Sequence, residues 1–124
     1  MIDSNFLKLN TNSTLNVSRE TLDELDEYSN EIIKRNKKIN LISKSSENVI
    51  KSRHIKDSAQ TIDFINKNDI KICTDLGSGA GLPGIVLGIL MKSKSPLFKV
   101  IFYEKSYHKS IFLKEMSKKF QLNS

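Results

Sequence analysis

One short stretch limits what this chain can become. Gly77-Ser78-Gly79-Ala80-Gly81-Leu82-Pro83-Gly84 places four glycines between a largely β-branched run, Ile70, Ile72, Cys73, Thr74 and Leu76, and an apolar run from Ile85 to Met91. The first run, bounded by Asp75 and the glycines, predicts a buried strand, and Pro83 fits the first position of the helix that follows. Glycines at 77, 79 and 81 let the backbone lie against a ligand without interference from a Cβ, and the amides of the helix N-terminus face the same point. Downstream, Lys92 to Pro96 reads as a loop and Phe98 to Tyr103 as a second strand ending at Glu104. His108 to Phe120 predicts a helix with Ile111, Phe112, Met116 and Phe120 on one face. Strand, glycine loop, helix, strand and helix in this order open a right-handed parallel α/β sheet.

Upstream the pattern is helical. Ser18 is a suitable N-cap, with Val17 placed to staple against Leu22, and Leu22, Leu25, Tyr28, Ile32, Ile33 and Ile39 follow helical spacing. Glu20, Asp23, Glu24, Asp26 and Glu27 lie toward the start, while Lys34, Arg35, Lys37 and Lys38 lie toward the end, so both ends complement the helix dipole. Ser45 or Ser46 caps a second helix from about Glu47 to Ile65, broken near Arg53 and His54, and Asn66 to Asp69 reads as a polar turn. The Asn, Ser and Thr-rich residues before 17 read as a lead-in with a short turn around Phe6, Leu7 and Leu9. The organisation predicted is a helical segment over 1–66 packing on the sheet, followed by a cofactor-binding half over 67–124.

Composition narrows the class further. At 124 residues and 14.1 kDa the chain is one domain or part of one, and 38% hydrophobic against 27% charged residues allows a core. The longest apolar run ends at Lys92, far short of the ~20 residues that cross a bilayer. The N-terminus lacks the basic start, apolar middle and cleavage site of a signal peptide, so a cytoplasmic protein with no membrane partner is expected. A lone Cys73 permits neither an internal disulfide nor a cysteine-based metal cluster and reads as a small buried hydrophobe on its strand. The formal charge of +6 fits a polyanionic partner as well as it fits an ordinary solvated lysine surface.

Three cofactors compete for a loop of this kind, beside a tight turn that binds nothing. The dinucleotide fingerprint wants a small residue where Leu82 stands, and the phosphate-binding loop wants a lysine after its last glycine, where this chain has Ile85 after Gly84. What remains is an acidic residue, Asp75, then alternating glycines, then an acidic residue at the end of the next strand, Glu104, 23 residues past Gly81. This is the arrangement used for S-adenosylmethionine. Glu104 can accept from both ribose hydroxyls, and Asp75 favours the cofactor's sulfonium or ammonium charge, directly or through water.

The string from Asp75 to Ile85 resembles the cofactor loop of the ribosomal RNA small subunit methyltransferase G family, also called glucose-inhibited division protein B. Asn40-Leu41-Ile42-Ser43, Arg53-His54-Ile55 with Asp57-Ser58, and Glu104-Lys105-Ser106 with Lys109 and Phe112-Leu113 resemble further family strings, in register over roughly residues 30 to 122. The resemblance implies N-terminal helices followed by the first half of a class I (Rossmann-like) methyltransferase sheet. It also implies transfer of a methyl group from S-adenosylmethionine to N7 of guanine 527, in the 530 loop of 16S rRNA. By that resemblance Gly77 and Leu82 touch the cofactor, Gly79 and Gly81 shape the loop, and Glu104 meets the ribose, beside the Asp75 already singled out by its charge. His54, Asp57 and Ser58 would brace the loop, with helix capping and core hydrogen bonding as the other reading. Lys34, Lys37, Lys38, Lys105 and Lys109 become candidates for phosphate contacts, with ordinary solvated lysines as the alternative.

The chain departs from the family at Arg35, where an aromatic is usual, and at His108, where a lysine or arginine is common. The class I sheet has more strands than the two written here, so the chain is expected to be part of a longer enzyme, monomeric at full length. A non-catalytic RNA- or cofactor-binding protein, or more remotely a dinucleotide-binding oxidoreductase, is the competing reading.

Overall fold

The computed structural model describes residues 17–67 and 71–124. Its centre is an apolar helix of eight residues. Helix α5, Gly84–Met91, is buried at every position, as expected of a helix whose sequence is apolar all the way round. Such a helix needs cover on all sides, and the other elements provide it. Strands β1 (Ile72–Leu76) and β2 (Lys99–Tyr103) lie on one side. Helices α1 (Arg19–Asn36), α3 (Lys56–Gln60) and α6 (Tyr107–Lys119) pack on the others.

The strands pair in parallel, with Ile72 opposite Lys99, Asp75 opposite Phe102 and Leu76 opposite Tyr103. Helix α5 makes the crossover between them, so the predicted strand, loop, helix, strand and helix order is present. Helix α1 starts where its cap predicts: Ser18 is extended and its hydroxyl accepts from the Thr21 amide at 3.2 Å. Leu22, Leu25, Tyr28 and Ile32 form its buried face, and Tyr28 meets Phe120 edge to face at 6.3 Å.

Several expectations are corrected. The single helix from Glu47 to Ile65 is four pieces: α2 (Lys44–Glu47), a π-helical segment Ile50–Ile55, α3, and α4 (Ile62–Lys67). The π-helical segment includes Arg53 and His54, the place where a break is predicted, and it turns both Ile50 and Ile55 into the core. Helix α4 runs on through Lys67, so the polar turn does not begin at Asn66; its remainder over 68–69 and Ile70 of the predicted strand lie outside the described residues, as do Phe6, Leu7 and Leu9.

Strand β1 is not buried throughout. Asp75 is its buried position, whereas Ile72 and Leu76 are exposed, because α5 covers only one face and β2 only one edge. Pro83 precedes the helix and is not its first residue. The first helical amide belongs to Gly84 and is held by the Asp75 carboxylate at 3.1 Å, and the Leu82–Pro83 peptide is cis. Tyr107, one residue earlier than predicted, begins α6, whose buried positions are Phe112, Leu113 and Met116, with Ile111 half-buried and Phe120 buried just past its end.

Stability should therefore concentrate in α5. Truncating its fully buried Ile89 to alanine is expected to cost about 2–5 kcal/mol, whereas the same change at exposed Leu97 should fall within about 0.5 kcal/mol. Urea midpoints of the two variants check the contrast.

Candidate cofactor site

The site is assembled at the C-terminal ends of the two strands. The Tyr103 carbonyl, last in β2, accepts from the amides of both Gly77 and Ser78, at 2.8 and 3.1 Å. The loop therefore grows directly out of the sheet. The Ser78 hydroxyl donates back to the Asp75 carbonyl at 2.8 Å, and the Gly81 amide donates to the Ser78 carbonyl at 2.8 Å. These bonds close a tight turn that needs left-handed backbone: φ is +67° at Gly77, +54° at Gly79 and +96° at Gly81.

The three glycines are not equivalent. A Cβ on Gly77 would meet open space, and one on Gly79 only a carbonyl at 3.9 Å, so neither is a packing position. A Cβ on Gly81 would collide with Ile85 and stand 3.0 Å from the Tyr28 hydroxyl, which marks Gly81 as a packing position. Gly84 is packed too, since a Cβ there would lie 2.6 Å from the Asp75 carboxylate.

The two acidic residues also divide. Glu104 accepts from the Gly79 amide at 2.9 Å through one oxygen and from the Ser106 amide at 3.2 Å through the other. These bonds, led by that from Gly79 and helped by Lys109 and Lys105, hold its carboxyl below the usual glutamate range. Each oxygen retains acceptor capacity, and Glu104 borders a groove of about 550 Å³ with Gly77, Tyr103 and Lys105. Asp75 instead turns inward, 8% exposed, to hold the Gly84 amide. Burial pushes its carboxyl up, the Gly84 bond offsets part of that, and Glu104 adds to the rise.

Of the predicted set, Gly77 and Glu104 line the groove, and Gly79 joins them through its amide bond to Glu104. Gly81 and Asp75 stand behind the loop, and Leu82 is half-buried beside them. His54, half-buried in the π-helical segment, exposed Asp57 and buried Ser58 do not meet the loop by side-chain hydrogen bonds among the described residues. Asp57 borders a largely apolar cavity of about 750 Å³ with Phe64, Cys73, Pro83 and Leu87, and Ser58 lies on α3, which packs against α5. Burial pushes the Cys73 thiol up, with Asp75 adding to it, so it stays protonated and unreactive.

Lys105 and Lys109 flank Glu104, whereas Lys34, Lys37 and Lys38 stand exposed at the far end of α1. The arginine that replaces the usual aromatic is turned to α6. Arg35 lies over the Phe112 ring at 5.4 Å and pairs with Glu115.

Sequence reasoning placed Tyr28 only in the core. Its hydroxyl donates to the Ala80 carbonyl at 2.6 Å, fully buried, joining α1 to the loop across 52 residues. Helical periodicity predicts that position 28 is buried, but nothing in a sequence shows where a buried hydroxyl finds its acceptor.

With this geometry in hand, comparison with known proteins is specific. The family model described as rRNA small subunit methyltransferase G matches residues 21–124. Proteins named ribosomal RNA small subunit methyltransferase G are similar to the chain: that of Pelagibacter ubique is 49% identical over 111 residues, 88% of this chain and 52% of the relative. Those of Cereibacter sphaeroides and Orientia tsutsugamushi are each 42% identical, over 109 and 106 residues, covering 88% and 86% of this chain and 52% and 50% of themselves. The chain spans about half the length of the curated relatives it matches. A match that takes in α1, the glycine loop, both strands and α6 leaves one assignment: the chain belongs to the rRNA small subunit methyltransferase G family.

Proposed function

We propose that this chain supplies the S-adenosylmethionine-binding half of an enzyme that methylates N7 of a guanine, guanine 527 of the 530 loop, in 16S rRNA. The observation that carries the cofactor reading is the pairing of Glu104 with the open backbone of Gly77 and Gly79. A carboxylate fixed by two amides keeps lone pairs for a ribose diol, and two glycines without Cβ obstruction let the cofactor lie on the loop. The acidic character of Glu104 at the groove suits a ligand carrying sulfonium and ammonium charges and opposes a diphosphate. Bound there, S-adenosylmethionine supplies an electrophilic methyl group.

Guanine N7 carries a lone pair and no proton, so the protein has no proton to remove and contributes by alignment and exclusion of water. In this chain the alignment falls to the loop, held from below by Tyr28 and Asp75 and from the side by Glu104. The RNA substrate comes from the relatives' names, and the exposed Lys34, Lys37 and Lys38 agree with it. Among the described residues these three form no ion pair, while Arg35, Lys51, Lys92 and Lys119 are each paired with an acid. The cytoplasm and a monomeric full-length enzyme complete the reading.

Calorimetric titration should show saturable 1:1 binding of S-adenosylmethionine and none of NAD or ATP; binding of NAD alone would sink the assignment. Fused to the unmatched half of the Pelagibacter ubique relative, the chain should transfer labelled methyl to small subunits lacking the mark. The product should be a guanine whose strand is cut after borohydride and aniline. Cofactor binding without transfer in that fusion favours a purely binding protein.

Glu104→Gln should weaken cofactor binding at least about tenfold, the scale of one lost charge-assisted bond. It should also remove an acid-side dependence. With its folded pKa lowered, Glu104 stabilises the loop above the ordinary glutamate range and loses that contribution as pH falls through its depressed value. Thermal melts of the parent should show this acid limb, and those of the variant should show it reduced.

Neutralising Lys34, Lys37 and Lys38 together to glutamine should lower the salt dependence of rRNA binding by up to about three phosphate contacts. An unchanged slope would assign them to solvent.

A further inference from the structure

Tyr28 sends its hydroxyl from the middle of α1 into the space behind the glycine loop, where it and the Ala80 carbonyl are both enclosed. Burial, with Asp75 nearby, keeps the phenol protonated, so it acts as a donor. The Ala80–Gly81 peptide is thereby tied at both ends, its carbonyl to Tyr28 and its N–H to the Ser78 carbonyl at 2.8 Å. Gly81, at φ +96°, is the kind of residue across which a peptide plane turns over at low cost.

We propose that Tyr28 is a positioning residue for the cofactor, holding the Ala80–Gly81 peptide in the orientation that lets Gly79 engage Glu104. The proposal rests on reading the loop as an S-adenosylmethionine site. Without the hydroxyl, the Ala80 carbonyl is buried with no donor. It regains one by turning toward the groove, where water is available. That rotation breaks the Gly81–Ser78 bond and disturbs Gly79, two residues away, whose amide fixes Glu104. The binding-competent loop then becomes one conformer among several, and apparent affinity falls by its fractional population. The helix outside the cofactor motif thus sets the shape of the motif.

Tyr28→Phe deletes the donor and keeps the ring that meets Phe120. Calorimetry with S-adenosylmethionine should show Kd raised about fivefold or more, and the amides of Gly79 and Gly81 should exchange faster with deuterium. Ile32→Val, at a fully buried position one turn along the same helix, should lower thermal stability without moving Kd. An unchanged Kd in Tyr28→Phe, beside clear binding by the unaltered chain, overturns the proposal. Absence of binding by the unaltered chain overturns the cofactor reading instead. Should the variant not fold, the Tyr28 hydroxyl proton of the unaltered chain gives the same answer by NMR. It should exchange slowly and shift on saturation with S-adenosylmethionine; a resonance that does not move overturns the proposal.

Discussion

An apolar helix with no solvent-facing side sets the terms for everything around it. Every residue of α5 is buried, so the chain reaches a folded state only when two strands, α1, α3 and α6 close over it. The glycine loop is the entrance to that helix. Its backbone cannot relax outward without exposing Ile85 and Val86, both fully buried in the first turn, and it cannot move inward without striking Tyr28. The shape of the loop is therefore a consequence of core packing, which gives a short glycine-rich segment a defined conformation in spite of its intrinsic freedom.

The same constraint explains how two carboxylates that look alike in the sequence take different roles. Asp75 sits on the β1 face that α5 covers, next to the first helical amide, and the orphan donor at Gly84 captures it. Pro83 provides no amide of its own, so Gly84 is the first donor the helix offers. Glu104 follows β2 at the rim, where the Gly79 and Ser106 amides hold it and leave it at the groove. One acid serves the interior and the other stands at the groove. The acid in the strand is the structural one and the acid past the strand end is the exposed one.

Much of this architecture was legible before any coordinates. The Ser18 cap, the helical stripe of α1, the order of loop, helix and strand, and the grouping of Gly77, Gly79 and Glu104 all follow from local rules, because each depends on neighbours within a few residues or on one fixed spacing. What escaped depends on distant partners. The division of Glu47 to Ile65 into α2, a π-helical segment, α3 and α4 follows from the need to turn Ile50, Ile55, Ala59 and Ile62 toward the core in succession. The hydrogen bond from Tyr28 spans 52 residues, and no periodicity encodes it.

Strand β1 is more exposed than its sequence predicts. A mostly apolar run is the pattern of a parallel strand covered on both faces, and β1 approaches it with Ile72, Cys73 and Leu76, yet its Ile72 and Leu76 are 59% and 77% exposed. Among the described residues α5 packs against it and only β2 pairs with it. Exposed Tyr103, opposite Leu76 in the register, extends the same uncovered face to the groove where Gly77 and Glu104 stand. A face with these residues is fitted to apolar cover. Its position beside the groove means that whatever covers it also excludes water from the groove. In a class I methyltransferase sheet the residues that complete the core and those that dry the site are then neighbours on one surface, and the sequence of β1 is written for that surface as much as for α5.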